Sequence, residues 1–162
     1  MTTKEYLIGI TGAFILGVVV NSLYMDAKKP AIKIPQEAHK MFYLKKSFKF
    51  DAAHRLESYK GKCSNMHGHS WKGTLCIQAK NVSPDTNMVI DFSLLKKDLN
   101  EMVDELDHKV LNEVLPFKDP TAESLAYYLF CKAKKLIGEK YNVRISSVSI
   151  EESEGSEAIY HE

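Results

Sequence analysis

The chain predicts an α+β domain, an antiparallel four-stranded sheet with two helices packed on one face. Two stretches alternate apolar and polar residues with the period of a strand, and two others repeat apolar residues at helical spacing. The order is β-β-α-α-β-β, with strands segregated from helices, the arrangement of an α+β fold.

The first strand spans Leu44 to Leu56. Leu44, Phe48, Phe50, Ala52 and His54 fall on one face, and Lys45, Ser47, Lys49, Asp51 and Arg55 on the other. From His67 to Ile77 the pattern repeats, with His67, His69, Trp71, Leu75 and Ile77 together. A helix from about Asp91 to Leu106 carries Phe92, Leu95, Leu99, Met102, Val103 and Leu106, with Asp91 or Ser93 able to cap it. A second runs from Pro120 to about Ile137, with Asp119 as its cap and Pro120 at the first helical position. Its stripe is Leu125, Tyr128, Leu129, Ala133, Leu136 and Ile137. The remaining strands run through the short segments Val143–Ile145 with Val148–Glu152, interrupted near Ser146-Ser147, and Ala158–Tyr160, set off near Gly155.

With 44% hydrophobic and 27% charged residues, the composition excludes a disordered chain. The 22 basic and 21 acidic residues nearly cancel, which removes the usual electrostatic reason to expect nucleic acid as a partner. Three cysteines, Cys63, Cys76 and Cys131, are too few for a disulfide framework and suit a reducing compartment.

Residues 1–25 are set apart by Tyr6–Met25, twenty residues without a charged side chain, about 30 Å long as a helix and so a candidate transmembrane anchor. Lys28, Lys29, Lys33 and Lys40 follow it against Lys4 alone before it, which orients the bulk of the chain toward the cytoplasm. A cleaved secretory signal and an apolar extension docked on the domain are the alternatives, although the signal lacks an A-x-A-like site. Residues 26–40, with Pro30 and Pro35, read as a linker, and 41–162 as the folded domain.

The histidines carry the chemistry. His67 and His69 are two apart on one strand, so both rings leave the same face, and His54 joins them if the two strands pair. Three neutral imidazoles with a fourth position open is the layout of a catalytic zinc site, with satisfied core histidines as the alternative. Cys63 lies in the loop feeding this site, where a nearby cation would favour its thiolate as base or nucleophile. The alternatives are a fourth zinc ligand or a small loop residue. Asp107-His108 ends the first helix, where the terminus favours a protonated imidazole and the carboxylate orients the ring.

FDAAHRL (50–56), CSNMHGHSW (63–71), MVIDFSLLK (88–96), LDHKVLN (106–112), PTAESLA (120–126) and VSIEES (148–153) occur in this order. Together they resemble the 6-pyruvoyl-tetrahydropterin synthase family over nearly all of 41–162. Three residues separate Cys63 from His67, a spacing similar to the 6-carboxy-5,6,7,8-tetrahydropterin synthase branch on the queuosine pathway. The segment 1–40 falls outside the family pattern.

The resemblance implies a tunnelling fold (T-fold), with two-layer subunits forming trimeric barrels that stack as a homohexamer and share active sites. It implies Zn2+ on His54, His67 and His69, Cys63 as catalytic base, and Asp107 with His108 as its partner dyad. Glu152 matches the carboxylate that anchors the pterin. Its alternation with Val148 and Ile150 supports that choice and turns Glu151 away. Thr121 and Glu123 match a segment that approaches the pterin, with an ordinary helix start as the alternative.

The implied reaction is a zinc-dependent carbon–carbon lyase step. It converts 7,8-dihydroneopterin triphosphate to 6-carboxy-5,6,7,8-tetrahydropterin, releasing acetaldehyde and triphosphate. The ring gains its reducing equivalents internally, in keeping with the absence of a Gly-rich nucleotide fingerprint. The alternatives are 6-pyruvoyl-tetrahydropterin formation by triphosphate elimination alone and a non-catalytic zinc or pterin binder. Arg55, Lys60, Lys62 and Lys72 lie near the motifs as candidate triphosphate contacts or simply as solvated charges.

Overall fold

The computed structural model describes residues 40–162. The apolar segment Tyr6–Met25 lies outside the described residues, as does the linker apart from Lys40. Among the described residues no helix is long and apolar enough to cross a membrane.

Strand β1 (Phe42–His54) pairs antiparallel along its whole length with β2 (His67–Ala79), and the loop between them carries one 3-10 turn, Lys62–Ser64. Helix α1 (Phe92–Val103) follows, then β3 (Lys109–Val110) and the short helix α2 (Leu111–Val114). Helix α3 (Ala122–Ala133) continues through a π turn, Lys134–Gly138, into α4 (Glu139–Tyr141). Strands β4 (Arg144–Ser153) and β5 (Ser156–His161) close the chain. The sheet order is β3-β1-β2-β4-β5.

The sheet is therefore five-stranded and mixed, not four-stranded and purely antiparallel. The extra strand, β3, pairs parallel to β1 through Ala52↔Lys109 and Ala53↔Val110. Two residues are too short to show any period. The break expected at Ser146-Ser147 is a bulge within one continuous strand: Cys76 faces Ser147 and Ile77 faces Ile145, leaving Ser146 as the extra residue.

One sheet face supplies Phe48, Phe50, Trp71, Leu75, Ile77, Val148 and Ile150 to the core, against Leu95, Leu99 and Met102 of α1 and Leu125, Leu129 and Phe130 of α3. Burying these side chains stabilises the domain by about 1.5–3 kcal/mol each. Gly73 leaves a gap on this face that the Phe48 ring fills, so a Cβ at Gly73 would collide with that ring.

Asp91 caps α1 as expected, accepting the Ser93 N–H at 2.7 Å. That helix stops at Val103, however, so Asp107-His108 lies in the turns beyond it. The cap of α3 is Thr121, which accepts the Ser124 N–H, and not Asp119. Asp119 instead accepts the Ser58 N–H at 3.0 Å, and Pro120 lies before the helix. Within the expected stripe, Leu136 is 42% exposed because the wider π turn carries it round to solvent. Phe130, absent from that stripe, is fully buried against Tyr160 of β5, ring centroids 5.0 Å apart.

Candidate active site

The β1–β2 register sets His54 directly opposite His67, and Ala52 opposite His69. Alternation then turns all three rings to the same side. Their centroids lie 4.5 Å (His54–His67), 5.3 Å (His54–His69) and 5.0 Å (His67–His69) apart. Trp71, next on that face, packs edge-on against His54 and His69 at 5.0 and 5.3 Å and donates its indole N–H to the Ala52 carbonyl.

Backbone carbonyls fix two of the rings. His54 Nδ1–H donates to the Pro120 carbonyl at 2.7 Å, and His67 Nδ1–H to the Asn65 carbonyl at 2.8 Å. A carbonyl can only accept, so each Nδ1 must carry the proton and each Nε2 is free to bind a cation. Histidines that ligate metals are commonly oriented through such a second-nitrogen contact. His54 is fully buried, and burial is the main force holding its pKa below the ordinary histidine value. The neighbouring His67 and His69 act in the same sense, against the Pro120 bond and the Glu152 charge.

Ligand atoms of His54, His67 and His69 all lie within 4.8 Å of one another. The Nε2 atoms of His54 and His69 are buried without any hydrogen-bond partner. Orphaned acceptors of this kind are costly unless a cation or a proton meets them. The three side chains therefore fit a divalent ion of the kind that takes imidazole nitrogen, zinc among them.

Glu152 reaches this cluster from β4, as alternation predicts. Its Oε1 lies 3.3 Å from His54 Nε2 and 3.7 Å from His69 Nε2. Glu151 turns the other way, 3.4 Å from Lys72 Nζ, and accepts the Gly155 N–H at 3.1 Å. Glu152, Thr121 and Glu123 share one cavity of about 420 Å³ with Leu56 and Ala158. Thr121 is thus both a helix cap and a cavity residue.

Asp107 and His108 sit at the β1 edge. Asp107 Oδ1 accepts the Asp51 N–H at 2.9 Å, and the His108 N–H donates to the Asp51 carbonyl at 2.6 Å. The Asp107 carboxylate meets His108 Nδ1 at 2.9 Å. The bond from Asp51, then that from His108, holds the Asp107 carboxyl below its ordinary value. His108 has φ 57°, in the left-handed region, and its side chain is 76% exposed in a cleft of about 520 Å³ shared with His69 and Asp51. Cys63 is half-buried in its loop, and its carbonyl accepts the Leu56 N–H at 2.8 Å. Among the described residues its thiol makes no hydrogen bond to the dyad or to the three histidines.

Arg55 and Lys72 both have carboxylate partners, Glu57 at 2.8 Å and Glu151. Residues that sequence reasoning missed act through their backbones or amides. Pro120 and Asn65 contribute carbonyls. Asn112 clamps the chain just after His54, accepting the Arg55 N–H and donating to the Arg55 and Lys118 carbonyls at 2.9–3.0 Å. Asn112 falls in a quoted motif, but nothing in its spacing signals a clamp.

A profile of the 6-pyruvoyl tetrahydropterin synthase family matches residues 43–162. The chain belongs to the 6-pyruvoyl tetrahydropterin synthase family. Within it, the 6-carboxy-5,6,7,8-tetrahydropterin synthase of Synechocystis is 39% identical over 99 residues, which are 59% of this chain and 77% of that protein. The protein of that name from Haemophilus influenzae is 30% identical, covering 75% of this chain and all of its own length. Among solved structures, the Caenorhabditis elegans 6-pyruvoyl tetrahydropterin synthase aligns with a TM-score of 0.66 and 29% identity, over 76% of this chain and 96% of that one. These relatives support a pterin synthase role and are consistent with the 6-carboxytetrahydropterin branch of the family.

Proposed function

We propose that the chain is a zinc-dependent lyase that converts 7,8-dihydroneopterin triphosphate to 6-carboxy-5,6,7,8-tetrahydropterin, acetaldehyde and triphosphate. The observation that carries this reading is the convergence of His54, His67 and His69 beside Glu152, which lines a cavity with Thr121 and Glu123. The three histidines would hold zinc, which when bound supplies Lewis-acid polarisation of hydroxyl oxygens.

The chain's own residues divide the remaining work. The carboxylates of Glu152 and Glu123 suit the cavity to the N–H-rich amino-pyrimidinone edge of a pterin and ill-suit it to a triphosphate. Cys63 takes a carbon-bound proton, and His108, oriented by Asp107, relays protons. Among the described residues Cys63 makes no hydrogen bond to the dyad, and the family resemblance implies sites completed between copies in a trimer or hexamer.

The test is purified full-length protein with dihydroneopterin triphosphate, reading product masses. Acetaldehyde with the carboxy product is expected, and it should vanish in Cys63→Ala while metal content is retained. A second reading, 6-pyruvoyl-tetrahydropterin formation, is favoured by the similarity to the C. elegans enzyme. It would give triphosphate and an intact three-carbon side chain without acetaldehyde. Release of neither product would leave a metal or pterin binder.

A further inference from the structure

Three histidines leave a tetrahedral ion one position short, and that position is conventionally assigned to water or substrate. Here a carboxylate stands beside it, next to two of the three histidines. We propose that Glu152 is the fourth protein ligand of the metal in the substrate-free protein. The inference rests on the reading of His54, His67 and His69 as metal ligands.

The distances carry the argument. Ligand atoms around a tetrahedral zinc, with bonds of about 2.0–2.1 Å, are separated by about 3.3 Å. Glu152 Oε1 lies 3.3 Å from His54 Nε2 and 3.7 Å from His69 Nε2, close to that spacing for two of the three corners, and a turn of its side chain would bring it toward the third, His67. Neither contact is a hydrogen bond, since both nitrogens lack a partner. The proton of His54 is already committed through Nδ1 to the Pro120 carbonyl, so its Nε2 faces Oε1 lone pair to lone pair. Two acceptors held that close repel each other unless a cation lies between them.

The same side chain is a third exposed and lines the cavity it shares with Thr121 and Glu123. Glu152 can therefore leave the metal for a ligand in that cavity without rearrangement of the core. At rest, three neutral imidazoles and one carboxylate reduce the charge of a divalent ion to +1. A closed shell of this kind protects the metal until substrate releases the fourth position.

The test uses full-length protein, stripped of metal and titrated with Co2+ alone, for wild type, Glu152→Gln and Glu152→Asp. Affinity is read by chelator competition and ligand geometry by the visible absorption bands of bound cobalt. Circular dichroism of each variant establishes that the fold is kept, and Glu152→Asp preserves the charge while shortening the reach. Loss of at least about tenfold in affinity for Glu152→Gln, with altered bands and a smaller loss for Glu152→Asp, is expected. Unchanged affinity and bands in Glu152→Gln would overturn the proposal and leave the three-histidine site standing. If wild type takes up no cobalt, the histidine reading itself fails and the proposal falls with it.

Discussion

His54 shows how one residue's chemistry is set from far along the chain. Its ring is aimed by strand alternation, but its tautomer is fixed by the carbonyl of Pro120, 66 residues away. Purified protein should contain about one zinc per chain, and the His67→Ala, His69→Ala double variant should lose it. Full metal content in that variant, measured by elemental analysis, would refute the assignment. Neighbouring glutamates give a sharper contrast. Glu152→Ala should raise the Michaelis constant or abolish turnover. Glu151→Ala should leave turnover near wild type, losing only an exposed pair with Lys72 worth less than about 1 kcal/mol. Equal effects on steady-state kinetics would mean that the strand faces are reversed. At this scale the histidines were legible because a period of two fixes a side chain's direction, whereas Glu152 was singled out by the family resemblance and only its direction by the period. Pro120, Asn65 and Asn112 were not, because a main-chain carbonyl or an amide clamp leaves no trace in residue type or spacing.

Among the elements, the two long strands and the two main helices were readable from periodicity, and the departures have local causes. β3 is too short to have a period, and Ser146 is a bulge that looks like a break. Phe130 is buried because α3 packs against β4 on one flank and β5 on the other, which widens its apolar face beyond a single stripe. The Phe48–Gly73 contact predicts that Gly73→Ala destabilises the domain by about 1–3 kcal/mol through overpacking, measurable by urea denaturation. A second variant, Gly73→Ala with Phe48→Leu, should recover part of that loss. Asp98 of α1 binds Lys140 of α4 through both carboxylate oxygens, at 2.8 and 2.9 Å. Burial raises the Asp98 pKa, but the bonds from Lys140 and Tyr141 outweigh it, and the net shift is downward. The folded state therefore holds the ionised form more tightly than the unfolded chain does. Its contribution is fully present above the ordinary aspartate pKa and is lost as pH falls through the depressed value. Asp98→Asn should lower the melting temperature by a few degrees near neutral pH, with the gap to wild type closing in acid.

For the whole molecule, the decisive feature is what the sheet leaves unfinished. β1 is thirteen residues long, yet β3 pairs only with Ala52 and Ala53 on its outer side, so Phe42 to Phe50 have no strand partner there among the described residues. β5 forms the opposite border. Unpaired borders are a liability that proteins cover or use, and two unlike borders can join head to tail into a closed ring. The barrel implied by the family resemblance would satisfy both. Every candidate site residue lies within 41–162, so this fragment should assemble and turn over like the full chain. Light scattering measures its mass, and detergent partitioning against the full chain tests whether Tyr6–Met25 anchors the protein. A monomeric, fully active fragment would refute the shared-edge reading. Open borders also tie the protein to mass action. If copies complete one another's sheets, the melting temperature should climb with protein concentration. Dilution alone would then take shared sites apart, so turnover per mole of chain should fall at low concentration with no residue changed.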